Sequence, residues 1–296
     1  MPKINQVVLM SGADYFNDEF AINAQMDSSL KVDVAAAMQE HDSIKAAFLA
    51  AGIEVKQVSP PATSQDGVYT ANWALVRNGQ ALMSRLPNKR KSEEVYAREK
   101  LEAEGLKIVT LPESVERFSG QGDALPCGDI IFTQSPYRTT KDAHPYLNSI
   151  LGFTEVLSLE TQPKRWFKYG PAKTNKITGW PDSPTYDIDL ALAVLKWPEA
   201  KAKGLIAYCP DVFKPSSRKL LEEFDKVDKI KVSKEEALNA FCLNLVSTGE
   251  IVIMNSQAPH FQADLEKWGL KTVTLDLPEL RKGGGSIRCS SLTLSN

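Results

Sequence analysis

Hydrophobic and polar positions along this chain alternate between two periods. Residues 5–10 form a short apolar run that reads as a buried strand. Residues 33–51 repeat apolar positions at three and four, which predicts a helix with Asp33 as its N-cap and Gly52 just past its end. A second strand, 53–58, closes at Pro60-Pro61. Residues 66–76 and 80–84 read as paired strands around Arg77-Asn78-Gly79, because Asn-Gly suits the positive φ angles of a tight hairpin. A charged helix follows at 92–104, then a strand at 107–111. The succession recurs with strands near 125–133, 154–158, 187–195, 204–208, 229–232, 243–247, 250–255, 271–275 and 286–294. The helices between them fall near 140–150, 216–226, 233–240 and 258–267. Strand, turn, strand, helix, strand is an α/β pattern. It is interrupted at residues 160–185, rich in Lys, Pro, Thr and Gly, which read as a long surface loop, either an ordinary insertion or a lid.

Composition narrows the partners. The chain has 296 residues, 43% hydrophobic and 24% charged, an ordinary globular balance that allows one large domain or two smaller ones. A net charge of −2 carries no nucleic-acid or membrane signal. There is no apolar leader after Met1-Pro2-Lys3-Ile4 and no run of about 18 apolar residues, so a cytoplasmic protein without a membrane span is expected. Cys127, Cys209, Cys242 and Cys289 are scattered, which predicts reduced thiols. His41, His144 and His260 are the only histidines, and none is paired at metal-ligand spacing. No cofactor is called for, and acid/base work has few histidines to draw on.

Candidate chemistry lies where polar residues interrupt apolar runs. Gly283-Gly284-Gly285-Ser286-Ile287-Arg288-Cys289 joins three glycines to a Cys near a final strand. Triple glycine marks a place that needs unusual torsions or close approach. Cys289 is either a nucleophile at a loop–strand junction or a buried Cys on a terminal strand. A phosphate loop is poorly supported, since no Lys-Ser/Thr follows. Asp66 and Asn72 lie an even number of residues apart and would share one face of a strand. Phe118-Ser119-Gly120-Gln121-Gly122-Asp123 is a glycine turn delivering Asp123. Asp187-Ile188-Asp189 places two carboxylates on one face of an apolar strand. Buried charges need partners, and a cationic substrate is one.

These motifs, taken in order, resemble the guanidino-group-modifying superfamily of dimethylarginine dimethylaminohydrolases, arginine deiminases, arginine dihydrolases and amidinotransferases. The resemblance covers nearly the whole chain. It is carried by Asp14-Tyr15-Phe16 with Ala21-Ile22-Asn23, by Thr70-Ala71-Asn72, and by the turn ending at Asp123. Tyr137-Arg138-Thr139-Thr140, Phe241-Cys242-Leu243-Asn244 and the glycine run ending at Cys289 complete it. It implies a five-bladed α/β propeller of ββαβ units around a central active-site channel, a single domain over residues 1–296. It also implies a Cys-dependent hydrolase of arginine or an N-substituted arginine, working through a covalent thiouronium. The partner is a small-molecule guanidino substrate, not nucleic acid or membrane, and a homo-oligomer is compatible.

The residue roles implied by the resemblance are these. Cys289 attacks the guanidinium carbon, because thiolate is a strong enough nucleophile near neutral pH. Asp189 and Asn72 hold the guanidinium nitrogens by charge-assisted bonds, with Asn23 and Asp66 as further substrate contacts. Arg138 is the first candidate for the substrate's α-carboxylate. Arg90 is the second, although Asn88-Lys89-Arg90-Lys91 also reads as a solvated basic turn before Glu93 and Glu94. Arg288 reads as structural. Asp123 orients the general acid/base, which in the family is a His. Here the pattern departs: His-x-Asp is replaced by Asp187-Ile188-Asp189, and Ser119 stands where a Glu is usual. Asp187 either does the acid/base work as a carboxyl with a raised pKa, or leaves a weakened relative that binds a guanidino ligand.

Overall fold

The computed structural model describes residues 3–167 and 170–295. Its strands form five three-stranded sheets of one topology. In the first, β1 (Val7–Met10) runs upward, α1 (Val34–Ala50) carries the chain back, and β2 (Glu54–Gln57) adds parallel to β1. Asp33 caps α1 as expected, its side chain accepting from the Ala36 N–H. The second sheet contains β3 (Ala74–Arg77), β4 (Gln80–Met83), helix α2 (Lys91–Ala103) and β5 (Lys107–Val109). β3 and β4 pair antiparallel across Asn78-Gly79, both at positive φ, and β5 lies parallel to β4.

The next two sheets repeat this. The third is β6 (Ala124–Cys127), β7 (Ile130–Gln134), α3 (His144–Leu151) and β8 (Glu155–Leu159). The fourth is β9 (Leu192–Lys196), β10 (Gly204–Tyr208), α4 (Pro215–Glu223) and β11 (Val227–Lys231). A short helix, α5 (Lys234–Asn239), leads into the fifth: β12 (Val246–Ser247), β13 (Ile251–Asn255), α6 (Pro259–Lys267) and β14 (Lys271–Leu275). Helix α7 (Pro278–Lys282) then precedes β15 (Leu292–Thr293), which pairs antiparallel with β1 and closes the ring. Five ββαβ units around a centre are the expected five-bladed α/β propeller. The apolar layers lie between each sheet and its helix and between neighbouring sheets.

Several local expectations are corrected. Residues 66–72 are not strand: Asp66 sits in a turn and Thr70–Asn72 is a single 3-10 turn. Thr70 Oγ1 donates to the Leu9 carbonyl and the Ala71 N–H to the Cys289 carbonyl, so bonds to the first blade replace a sheet ladder. Asp187 and Asp189 likewise flank a 3-10 turn, Ile188–Leu190, rather than sharing a strand face. At roughly 120° per residue such a turn sends side chains two apart in different directions. The run 125–133 is two strands folded at Gly128, and residues 286–291 are a turn, with only Leu292–Thr293 in strand. Helix α7 has no counterpart in the pattern reading. The 160–185 segment is folded on itself through pairings of Arg165 with Ala172 and Thr174 with Pro181. No helix among the described residues is long and apolar enough to cross a membrane.

Candidate active site

Each blade delivers at least one side chain to the same end of the channel, from the turn that precedes its first strand. Asn72 comes before β3, Asp123 before β6, Asp187 and Asp189 before β9, Asn244 before β12, and Cys289 before β15. A polar residue there is aimed at the axis, whereas the strand residues after it pack between sheets. All six are buried.

The glycine run explains how Cys289 is set. Gly284 has φ +87°, and a Cβ there would lie 2.5 Å from Asn23 Oδ1. A Cβ on Gly285 would lie 2.7 Å from the Tyr69 ring and 2.9 Å from Cys289 Cβ, and one on Gly283 would overlap Tyr69 and Phe16. Asn23 donates to the Gly283 carbonyl at 3.0 Å and accepts from the Gln25 and Met26 N–H groups. Asn23 therefore pins the loop that carries the Cys and makes no direct bond to the thiol. Asn244 Oδ1 accepts from the N–H groups of Arg288 and Cys289, at 3.1 and 3.2 Å, which turns its Nδ2 toward Cys289 Sγ at 3.0 Å. The Cys289 thiol donates to Asp189 Oδ2 at 3.2 Å. Asn244 was read only as part of a motif; its amide next to the thiol is a contact that spacing alone could not reveal.

A second cluster faces the first. Asn72 Nδ2 donates to Asp187 Oδ2 at 2.8 Å and to Ser119 Oγ at 3.0 Å. Asn72 Oδ1 accepts from Arg90 at 2.8 Å. Since guanidinium has only donors, this bond fixes which end of the amide faces Asp187. Asp123 Oδ1 accepts the Ile188 N–H at 2.9 Å, tying the third-blade turn to the fourth. Gly122 must be glycine because a Cβ would strike Asn72 Nδ2 and Asp187 Oδ2.

Arg90 is not the solvated turn residue that its sequence neighbours suggest. It is buried and forms a two-pronged ion pair with Glu93, Nε to Oε1 at 3.0 Å and NH2 to Oε2 at 2.7 Å. The remaining NH2 bonds go to the Asp66 and Tyr69 carbonyls. Glu93 is held in turn by Ser64 and the Trp73 indole. Asp66 accepts from Gln65 at 2.9 Å. Arg138 spends one N–H on the Ile22 carbonyl, at 3.1 Å, and stacks 4.7 Å from the Tyr186 ring, so most of its fork is uncommitted. Arg288 bonds Thr293 Oγ1 and Gln121 Oε1, the structural role expected of it.

The electrostatics follow from burial. Among the described residues, Asp66, Glu93, Asp123, Asp187 and Asp189 face three buried cations, Arg90, Arg138 and Arg288. Burial, reinforced by Asp187, raises Asp123 well above the usual carboxylate range. Asp187 is raised by burial against the pull of Arg138, and Asp189 is pushed up to about 8 by burial and the Asp187 charge. Burial lifts Asp66 to about 6. The Cys289 thiol is raised well above its ordinary value by burial and by Asp189. Asp123 Oδ2, Asp187 Oδ1 and Asp189 Oδ1 are all buried without a partner. Unspent oxygens on three buried carboxylates, one of which bonds the thiol through its other oxygen, leave the site short of donors.

Two loops lie over this end of the channel. Residues 20–26 meet the 160–185 segment through Gln25 on the Pro184 carbonyl, Lys164 on Ala24 and Asn175 on Ala21.

Comparison with known proteins places this arrangement. No family model matches the chain. It is 31% identical over 287 residues to the N(G),N(G)-dimethylarginine dimethylaminohydrolase of Mycobacterium tuberculosis, over 96% of this chain and 84% of that protein. It is 28% identical over 292 residues to the bifunctional arginine dihydrolase/ornithine cyclodeaminase AgrE of a Nostoc species, over 97% of this chain but only 37% of that protein. A crystal structure of a cysteine-to-alanine AgrE mutant with L-arginine matches with a TM-score of 0.82 at 26% identity, over 97% of this chain and 40% of that one.

Proposed function

The chain belongs to the family of guanidino-modifying hydrolases that includes the dimethylarginine dimethylaminohydrolases and arginine dihydrolases, and on that premise we propose that Cys289 attacks arginine or an N-substituted arginine, with Asp187 as general acid and base. The observation that carries this is the Cys289 thiol bonded to Asp189 within a buried set of carboxylates, Asp123, Asp187 and Asp189, each with one oxygen left without a partner. A planar guanidinium has donors for the open oxygens of Asp123 and Asp187 and the charge to offset the local excess of carboxylates.

The resting thiol is protonated. A guanidinium placed between Cys289 and Asp187 reverses the field, which lowers the thiol's affinity for its proton and lets Asp189 ionise. The thiolate then bonds to the guanidinium carbon. With five carboxylates and the thiolate against three arginines and one bound guanidinium, two protons stay on carboxyls, one on Asp189 and one held by the Asp187 and Asp123 pair. Asp187 gives the latter to the leaving amine as the C–N bond breaks, and a thiouronium remains on Cys289. Water attacks the thiouronium, Asp187 takes a proton back, and the C–S bond breaks to release the product and the thiol. Arg138, with its free fork, binds the substrate's α-carboxylate. Arg90 serves Asn72.

The test is incubation of the protein and its Asp187→Asn variant with arginine, methylarginines and agmatine, followed by mass spectrometry of product and intact chain. Citrulline or ornithine from the parent, and a Cys289 adduct that accumulates in the variant, is the expected result. Undiminished turnover by the variant would remove Asp187 from the mechanism. A stable adduct in the parent with no product would favour a binding protein that stops after the first half-reaction.

A further inference from the structure

A small cavity lies against Asp189, the residue that accepts the Cys289 thiol's hydrogen bond. It offers about 20 Å³ of room for water centres, enough for one or two waters. Its inner end is lined by Asp189 and Arg288, its walls by residues such as Leu125, Leu192, Ala193 and Leu245, and its outer end by Asn5 and Trp197, both part-exposed at the opposite face of the ring. Asp189 Oδ1 and Arg288 Nε are both fully buried and without a partner, one an acceptor and the other a donor. The other Arg288 nitrogens are engaged by Thr293 and Gln121, and Thr293 Oγ1 donates to Asn5 Oδ1 at 2.7 Å, so a polar seam runs from the inner end to the outer face.

Resting on the proposed hydrolysis, we propose that this cavity holds water bound between Asp189 Oδ1 and Arg288 Nε, and that it is the exit for the Cys289 proton when substrate fills the front of the channel. A buried donor and acceptor in a polar-ended cavity large enough for water are the conditions under which internal water is found. The relay balances. As the guanidinium binds, Asp189 passes its proton from Oδ1 to the water and on to solvent at the opposite face, and the ionised Asp189 then takes the thiol's proton on Oδ2. Asp189 ends with the number of protons it began with, and Cys289 ends as thiolate. The guanidinium in front blocks the other route, so the rear water sets how fast the thiolate forms.

Two measurements test this. A crystal structure near 1.5 Å resolution should show ordered water within hydrogen-bonding distance of Asp189 Oδ1 and Arg288 Nε; a dry cavity overturns the proposal. Ala193→Leu fills the inner wall, and Val194→Phe narrows the cavity from a part-buried position at the edge of the core. Rapid-quench mass spectrometry should show the Cys289 adduct forming about tenfold more slowly in either folded variant, with KM unchanged. Adduct formation at the parent rate in a folded variant overturns the proposal. If Ala193→Leu does not fold, Val194→Phe decides. Absence of any adduct in the parent instead counts against the hydrolase itself, and the crystallographic result still stands or falls alone.

Discussion

Arg90 holds Asn72 by its oxygen, at 2.8 Å, and so turns the amide nitrogen onto Asp187. The bond makes Asn72 a donor to a carboxylate rather than an acceptor for substrate. Asn72 is one of the groups that keep Asp187 from rising further, so Asn72→Ala should raise the Asp187 pKa. The alkaline limb of the kcat/KM profile, set by loss of the Asp187 proton, is expected to move to higher pH, with kcat down by about 10². An unmoved limb would show that Asn72 acts elsewhere.

The same clamp predicts a separation between stability and chemistry. Arg90→Met leaves Glu93 buried without its cation, and breaking such a pair costs about 3–5 kcal/mol. Asn72→Ala removes a smaller group and leaves the ion pair intact. Chemical denaturation of the two variants should therefore give a large drop for Arg90→Met and a small one for Asn72→Ala. Comparable losses would mean that the pair is not the anchor of this corner.

Gly284 and Gly79 both have positive φ, +87° and +72°, but only Gly284 is crowded. Alanine at Gly79 meets nothing within 4 Å and should cost about 1 kcal/mol for the torsion alone. Alanine at Gly284 must also displace Asn23, and with it the loop that carries Cys289. It is expected to lose turnover by at least tenfold beyond any stability effect, read at a temperature where both variants are folded.

This contrast shows what was legible in the sequence. The glycine run announced a constrained loop, the alternation announced the ββαβ units, and Asn-Gly announced the hairpin between β3 and β4. Their arrangement as a ring came only from the resemblance, because periodicity does not say which sheets adjoin. The turns before β3 and β9 were read as strand because short apolar stretches look alike in either state. Arg90 looked solvated because its partner Glu93 lies on the next helical turn and its other partners are carbonyls and an amide, which leave no mark in a charge pattern. The thiol's contacts with Asn244 and Asp189 are long-range pairings between blades, the class of information that one sequence read locally does not carry.

Guanidinium binding should release protons. Asp123, Asp187, Asp189 and the Cys289 thiol titrate above their ordinary values in the free protein, and a cation among them favours their charged forms. Calorimetry of arginine binding to Cys289→Ser at pH 7, in buffers of different ionisation enthalpy, should give a heat that depends on the buffer and reports net proton release. A buffer-independent heat would indicate that the carboxylates are already ionised and otherwise compensated.

The same displacement gives stability a pH dependence of unusual sign. Asp189 titrates at about 8 in the folded chain against an ordinary 3.8. Below 3.8 it is protonated in both states and its environment costs nothing. Between 3.8 and 8 the folded chain retains a proton that the unfolded chain gives up, so stability falls as pH rises, by at most about 1.4 kcal/mol per pH unit for one group. Above 8 the fall is complete. Asp189→Asn removes the titration while keeping the shape, so its Tm advantage over the parent should grow from pH 5 to pH 8. His41 and His144, both lowered to about 4 by burial, act in the opposite sense below their ordinary 6.5, but they are common to both proteins and cancel in the difference. Arginine bound to Cys289→Ser should flatten the slope of that variant, because the cation lets Asp189 ionise without loss. Parallel Tm profiles for the parent and Asp189→Asn would mean that Asp189 is ionised throughout, and the protonated resting site would have to be abandoned.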